Sequence, residues 1–187
     1  MEFNAVIQRR KSTRQFKSKT ISWKEVLEAI DAAIQGPFAA NHNHLKFLII
    51  EDKQKIKKIA EHCEQDWIET APMVILVCSD DTHLENIFGD RGRIYSRQQS
   101  GAAIQTVCLK LADLGISSCW VGAYQDSIIR ETLGIPGHIQ VEAIIPAGYS
   151  ADAEKKKEKR ALDTVLFWEK WGMDRRPTEL ERQKIIR

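Results

Sequence analysis

A short basic segment near the amino end carries the residues best suited to chemistry. Residues 9–14 read Arg-Arg-Lys-Ser-Thr-Arg, which places four cations and two hydroxyls within six positions. An arginine offers two parallel donors to a phosphate, a lysine offers a point charge, and a serine hydroxyl adds another donor. The segment could therefore hold a phosphate monoester, although a solvated basic turn explains the same residues.

A second candidate is the run Gly-Pro-Phe-Ala-Ala-Asn-His-Asn-His at 36–44. Its Gly-Pro start ends a helical pattern, and the small alanines before Asn41 would let a planar ring approach the backbone and bond at its edge. A turn with an asparagine cap is the alternative. His42 and His44 have no carboxylate or cysteine at ligand spacing, which disfavours a metal site.

A third group of polar residues follows an apolar run. Asp80, Asp81 and His83 could ligate a metal, but Thr82 and Glu85 have the spacing of a capping box. Acidic side chains also suit the start of a helix. We therefore expect a helix to begin here and disfavour a metal centre.

The remaining sequence excludes several classes of protein. It contains no GxGxxG, GxxxxGK[ST], HExxH or GxSxG motif, so a Rossmann dehydrogenase and the common hydrolases are disfavoured. Its 28 Lys and Arg against 26 Asp and Glu give a net charge of +2, which offers nucleic acid no general attraction. The charged run at 151–160 is expected to be a solvated loop.

The cysteines and the lack of long apolar runs indicate the cellular compartment of the protein. Cys63, Cys78, Cys108 and Cys119 lie far apart without CxxC spacing, which favours reduced thiols in the cytoplasm. No run approaches the ~20 apolar residues of a membrane span, and the amino end reverses the order of a secretory signal. We expect Cys119 to be a small buried hydrophobe and Trp120 to belong to the core.

Alternating helical and strand patterns must position these residues. Ser22 and Glu25 form a capping box that predicts a helix over 22–35. The long apolar pattern over 97–114 predicts a central helix. Further helices are expected around 2–10, 56–63 and 128–133, and strands at 46–50, 73–79, 117–123 and 139–148.

Five segments in order resemble the nitroreductase family. They are RRKSTRQF at 9–16, GPFAANHNHLKFLII at 36–50, AAIQTVCLKLADLGISSCWVGAY at 102–124, IIPAGYS at 144–150 and KRALDTVLFWEKW at 159–171. The set spans nearly the whole chain, so it is more specific than any one motif.

The resemblance implies an FMN bound at the interface of a homodimer. Arg10, Ser12 and a late cation, Arg160 or Lys159, would hold its phosphate, with Lys11 in the same basic segment. Arg14 would lie along the pyrimidine edge of the flavin, where a positive charge stabilises the reduced ring.

The residues around the flavin ring are implied in the same way. Phe38, Ala39 and Asn41 of the partner subunit would cover or bond the ring, and Pro146, Ala147 and Gly148 would line its other side. The flavin itself would carry the chemistry, so no catalytic side chain is expected. Phe38, Asn43 and His44 depart from the Ser, Gln and Pro that the family often has, which affects substrate choice.

The implied fold is α+β, with a mixed, mainly antiparallel sheet of four to five strands flanked by helices. Residues 1–187 would form one domain, in which 161–187 is a tail that wraps the partner. The implied activity passes electrons from NADH or NADPH to a nitroaromatic or quinone by a ping-pong mechanism. Reductive dehalogenation and a non-catalytic FMN or small-ligand binding protein are the alternatives.

Overall fold

The computed structural model describes residues 2–151 and 158–178. The chain divides into two compact units, residues 1–154 and residues 155–187. None of the described helices combines the length and hydrophobicity that crossing a bilayer requires. The division into one domain and a tail at 161 stays a prediction.

The first unit contains the sheet and the helices that surround it. Two short 3-10 helices, Ala39–Asn41 and Asp66–Thr70, lie in its connections. In chain order the longer elements are α1 (Phe3–Arg9), α2 (Trp23–Ile34), β1 (Leu45–Ile50), α3 (Lys53–Cys63), β2 (Met73–Asp80), α4 (Thr82–Phe88), α5 (Asp90–Asp113), β3 (Ser117–Ser118), α6 (Asp126–Leu133) and β4 (Ile139–Gly148).

The four strands form one antiparallel sheet in the order β1-β2-β4-β3. The central strand β2 is buried from Met73 to Ser79, as its continuous apolar run predicts. Its register against β4 shifts between Val77 and Cys78. The α+β prediction with a mainly antiparallel sheet is confirmed.

Side chains of β2 alternate between two hydrophobic clusters, one on each face of the sheet. Ile75 belongs to the cluster that contains Val26 of α2 and Leu111 of α5. Leu76 belongs to the cluster that contains Ile59 of α3 and Ile129 of α6. The sheet is therefore covered by helices on both faces, and α5 lies on the same face as α2.

The predicted helix at 22–35 forms with the predicted cap. The Ser22 hydroxyl accepts a hydrogen bond from the Lys24 amide, and the Glu25 carboxylate accepts one from the Ser22 amide. These bonds satisfy amide groups that a helix start leaves without partners. The local pattern was sufficient here because every group in the cap lies within four residues.

The central helix α5 begins earlier than the predicted residue 97. Gly89 has φ of +57°, which turns the chain between α4 and α5. Gly92 then allows a close approach, because a Cβ there would lie 2.3 Å from the Leu84 carbonyl oxygen. The first turns of α5 are polar, so hydrophobic periodicity did not reveal them.

The predicted strand at 117–123 is wrong in length. Only Ser117–Ser118 pairs as a strand, followed by an isolated bridge from Val121 to Ile144. The prediction that Trp120 belongs to the core is also wrong, because Trp120 is 44% exposed. Cys119 and Val121 face inward, so the residue between them faces outward along extended backbone.

The capping box predicted for Thr82 and Glu85 is wrong as well. Asp81 occupies the N-cap position of α4 and makes no side-chain cap, while Asp80 accepts a hydrogen bond from the Thr82 amide at 3.1 Å. The Asp81 carboxylate bonds α5 instead. A tertiary contact therefore replaces the local one.

The second unit contains a short 3-10 helix, Leu162–Thr164. The rings of Phe167 and Trp171 lie 4.8 Å apart, and Trp171 is 91% exposed. The charged stretch predicted at 151–160 is exposed at 151 and 158–160, and its other residues lie outside the described part. Wrapping of a partner by this tail stays a prediction.

Candidate cofactor site

The basic segment runs along the edge of the sheet beside β3. Ser12 forms a parallel bridge with Ser118, and the Thr13 amide donates to the Ser118 carbonyl at 3.1 Å. Thr13 is buried, whereas Ser12 is half-buried and Arg14 is exposed. Extended backbone thus directs Ser12 and Arg14 away from the core, on the side opposite Thr13.

Phe16 anchors the far end of this segment. Its amide donates to the Thr70 hydroxyl at 3.2 Å, and its backbone bridges to Ser150. A Cβ on Gly148 would lie 3.0 Å from the Phe16 ring and 2.6 Å from Pro72. The missing side chain at Gly148 therefore lets Phe16 and Pro72 close over the end of β4.

The Pro-Ala-Gly end of β4 lies one strand away from the basic segment. Ser118 pairs with Ala147, and the Cys119 amide donates to the Pro146 carbonyl at 3.2 Å. Ser118 is also the residue that holds Ser12 and Thr13. The structure therefore brings together two groups of predicted cofactor residues, 10–14 and 146–148.

Two cations of the basic segment are available for an anion. Among residues 2–151 and 158–178, neither Arg10 nor Arg14 forms an ion pair with a carboxylate. Burial raises the pKa of Cys119 although the charges of Arg14 and Arg10 oppose it, so the thiol stays neutral. Two arginines that have no carboxylate partner among the described residues, one of them half-buried, fit a phosphate group.

The turn that contains Phe38, Ala39 and Asn41 is positioned separately. Ala40 and Asn41 both have φ of 53°, and the Ala39 amide donates to the Gln99 side chain of α5 at 3.2 Å. Phe38 packs against the cluster on the α5 face of the sheet.

The two groups contact different parts of α5. Arg10 lies beside Cys108, which is nine residues beyond Gln99, or about 14 Å along a helix axis. The turn of Phe38 therefore lies well away from Arg10 of the same chain. Their approach to a flavin from the partner subunit stays a prediction.

Lys159 and Arg160, the predicted late cations, belong to the second unit. Both are exposed and precede the 3-10 helix at Leu162–Thr164. Their convergence with Arg10 and Ser12 on one phosphate stays a prediction.

A partly buried polar network around Asp81, near α4, was missed by sequence reasoning. The Asp81 carboxylate accepts from Ser96 at 2.5 Å, from Ser79 at 2.9 Å and from Arg97 at 2.5 Å. Arg97 also pairs with Glu142 of β4. Burial alone would raise the pKa of Asp81, but these hydrogen bonds hold it below its ordinary value. Arg97 is 16 residues from Asp81 and 45 residues from Glu142 in the sequence, so no local sequence pattern indicates the network.

His44 lies next to this network and beneath the turn of Phe38. It is 1% exposed, its Nε2 lies 3.5 Å from the Ser100 hydroxyl, and its Nδ1 is buried without a hydrogen-bond partner in the described chain. Burial is the main cause that lowers the pKa of His44. Within the described ranges, no three metal-ligating side chains come together around it or elsewhere.

Comparison with known proteins gives a family match over most of the chain. The model of the Nitroreductase family matches residues 7–69 and 62–149. A putative NADH dehydrogenase/NAD(P)H nitroreductase of Methanothermobacter thermautotrophicus is 28% identical over 176 residues, which cover 91% of this chain and 88% of the relative.

Two further relatives carry more specific names. An FMN reductase [NAD(P)H] of Bacillus subtilis is 23% identical, over 83% of this chain and 68% of the relative. An iodotyrosine deiodinase of Thermotoga neapolitana is also 23% identical, over 79% of this chain and 88% of the relative.

A solved structure supports the same fold. The crystal structure of a nitroreductase family protein from Clostridium novyi is 28% identical to this chain, with a TM-score of 0.75. The superposition covers 92% of this chain and 96% of that protein.

Proposed function

Since the chain belongs to the nitroreductase family, we propose that it is an oxidoreductase that binds FMN and transfers electrons from NADH or NADPH to a small electron-poor acceptor. The names of its relatives support the cofactor and the donor, because they include an NAD(P)H nitroreductase and an FMN reductase. A nitroaromatic or a quinone is the proposed acceptor.

One observation carries this proposal most directly. Arg10 and Arg14, which lack carboxylate partners among the described residues, lie beside the strand end that carries Pro146 and Gly148. Phosphate and flavin ring are the two parts of FMN that such an arrangement would hold. Arg10 and Ser12 would bind the phosphate, aided by Lys11 and by Lys159 or Arg160.

The chain's own groups would orient and tune the cofactor. FMN supplies two-electron chemistry when it is bound. Arg14 would place a positive charge at the pyrimidine edge, where negative charge accumulates on reduction. Pro146, Ala147 and Gly148 are buried, so their backbone would exclude water from one side of the ring. No side-chain acid or base is then required for the transfer.

A second copy of the chain would complete the site. The outward side of α5 carries Ile94, Gln98, Ala102, Gln105 and Leu109, which recur at helical spacing and include no charge. An uncharged, partly apolar helix face of this length suits a subunit interface. Phe38, Ala39 and Asn41 of the partner would then cover the ring left open by one chain.

We propose a ping-pong order, in which the nicotinamide leaves before the acceptor occupies the same face. All four cysteines are free and buried, which supports work in a reducing compartment, the cytoplasm. Neither nucleic acid nor a membrane is a proposed partner, since the net charge is only +2.

A related activity is reductive dehalogenation. It is supported by the similarity to the iodotyrosine deiodinase and by the departures at Phe38, Asn43 and His44. Turnover of the reduced protein with nitroaromatic, quinone and halogenated phenol acceptors separates the two. Much faster turnover of the halogenated phenol would replace the proposed acceptor class.

The experiment that tests enzyme against binding protein is anaerobic titration of the flavin-loaded protein. Bleaching by NADH or NADPH, followed by recovery of colour on addition of an acceptor, is expected. A bound flavin that neither nicotinamide reduces would favour a non-catalytic FMN or small-ligand binding protein.

A further inference from the structure

His44 lies directly beneath the turn that is proposed to contact the flavin. Its carbonyl accepts a hydrogen bond from the Asp80 amide at 2.9 Å, so its backbone is fixed at the start of β1. Its ring meets the Phe38 ring edge-to-face, with centroids 6.1 Å apart and an interplanar angle of 76°. The position of Phe38 therefore depends on the imidazole below it.

The surroundings of the ring suit a neutral imidazole. Nε2 lies 3.5 Å from the Ser100 hydroxyl, while Nδ1 is buried without a partner among the described residues. A neutral ring can leave one nitrogen as an unpaired acceptor. A charged ring would carry a proton on both nitrogens, and one N–H would then be buried with no acceptor, which is much more costly.

Charged and titratable groups face His44 from several elements. Asp81 follows β2, Arg97 belongs to α5, and His42 precedes it in the same segment. Burial is the largest cause that lowers the pKa of His44, and the charges of His42 and Arg97 lower it further. A hydrogen bond with the Ser96 backbone and the charge of Asp81 raise the pKa, but they do not outweigh burial. Asp81 already accepts hydrogen bonds from two serines and Arg97, so it is engaged elsewhere.

We propose, building on the flavin role above, that His44 is a positioning residue whose neutral ring holds Phe38 and the turn Ala39–Asn41 in the conformation that admits the electron acceptor, and that protonation of the ring loosens this turn. The ordinary pKa of histidine is 6.5 and the folded value is lower. Above about pH 6.5 the imidazole is neutral in both the folded and the unfolded chain, so it costs the folded state no stability. As the pH falls below 6.5, the unfolded chain takes up the proton more readily than the folded one, and the stability of the folded turn declines.

The test compares the acceptor KM between about pH 8 and about pH 5.5 in three proteins. They are the parent, H44Q, which keeps a polar group near Ser100 but cannot titrate, and H138Q, which removes an exposed histidine. KM for a nitroaromatic should be flat down to about pH 6.5 in the parent and H138Q, and should rise only at the lower pH where the folded His44 takes up its proton, by up to about tenfold per pH unit for one linked proton. H44Q should give a profile that does not change with pH, with KM raised at every pH because the ring that holds Phe38 is absent.

Identical KM profiles in all three proteins would overturn the proposal. A second measurement keeps the test decisive if H44Q does not fold: the ring resonances of histidine are followed by NMR in the parent. The resonance assigned to His44 should be that of neutral imidazole at pH 6.5 and should titrate below it over the same pH range as KM; a ring that titrates near 6.5, or at a pH where KM does not change, would also overturn the proposal. Absence of flavin would defeat the proposed function instead, and would be seen before either experiment.

Discussion

The partners of an arginine indicate whether it stabilises the fold or is available to bind a ligand. This contrast is seen between Arg97 on one side and Arg10 and Arg14 on the other. Arg97 lies between the carboxylates of Asp81 and Glu142, so its charge is neutralised within the fold. In the described part of the chain, Arg10 and Arg14 have no such partner, although Ser118 fixes the backbone between them. An external anion is the natural partner for these two.

Substitution of these arginines should lower FMN affinity. R10A removes a charge-assisted phosphate contact worth roughly 1.5 to 3 kcal/mol, which corresponds to a loss of about tenfold or more. R14A should also change the flavin reduction potential. FMN content and Kd, measured by fluorescence titration, check both variants. K17A, which changes an exposed cation on the same segment, is the control, and an equal loss in all three would contradict the assignment.

Replacing Thr13 by valine should stabilise the protein. Its hydroxyl is buried without a hydrogen-bond partner among the described residues, and valine has nearly the same shape. Removing an unsatisfied buried hydroxyl should raise the free energy of unfolding by about 1 kcal/mol or more. Urea denaturation checks T13V against T20V, an exposed control that should change little. A clear loss of stability in T13V would mean that the hydroxyl has a partner in the native protein.

How far the sequence predicts the site also depends on individual residues. Ser12 and Arg14 stand out in one dense basic motif, whereas the 146–148 segment is implied only by the resemblance of 144–150 to the family; the role of these residues in cofactor binding stays a prediction. Asp81, Arg97 and Glu142 could not be identified as a network, because they meet only after β2, α5 and β4 have packed. The orphaned nitrogen of His44 was equally hidden, since burial of a single side chain has no sequence signature.

At the scale of elements, the crossing of α4 and α5 depends on one glycine. A Cβ at Gly92 would lie 2.3 Å from the Leu84 carbonyl oxygen and 2.6 Å from the Glu85 amide nitrogen. Both neighbours are backbone atoms, so the two helices would have to separate. Because Asp81 and Ser96 join the same helices, such a shift would also strain the polar network around Asp81.

G92A should therefore destabilise the protein by about 3 kcal/mol or more. G101A is the matched control, because Gly101 lies in the same helix and its Cβ would meet only the Trp120 ring at an ordinary 3.8 Å. Alanine in that place should be neutral or stabilising by up to about 1 kcal/mol. Thermal unfolding of both variants gives the comparison, and equal effects would show that the close approach at Gly92 is not limiting.

Elements whose determinants are local were the most predictable. The cap of α2 is formed by Ser22 and Glu25, and a continuous apolar run predicts β2. The strand at β3 is shorter than predicted because its pairing is set by β4 rather than by its own residues. The start of α4 also departs from its local pattern, because the Asp81 carboxylate bonds Ser96 and Arg97 of α5 instead of capping the helix.

For the whole molecule, each proposed flavin site needs residues of two chains. Ile94 lies on the uncharged face of α5 and is 44% exposed in the single chain. I94E should be tolerated by a monomer but not by a dimer interface, where an unpaired carboxylate costs several kcal/mol.

Size-exclusion chromatography with light scattering should show a loss of dimer in I94E, together with a loss of bound flavin. L48E is the control, because Leu48 has a similar exposure and lies on the edge strand β1, at the other end of the sheet from β3. This variant should remain a dimer and retain its flavin. A flavin-loaded monomer of I94E would contradict the proposal that the partner completes the site.

The most direct test is the visible spectrum of the freshly purified protein, recorded before and after anaerobic addition of NADH or NADPH. A yellow protein with an oxidised flavin spectrum, about one FMN per chain by mass spectrometry, and bleaching by at least one nicotinamide is the predicted result. A colourless protein that takes up no added FMN would contradict the account at its centre.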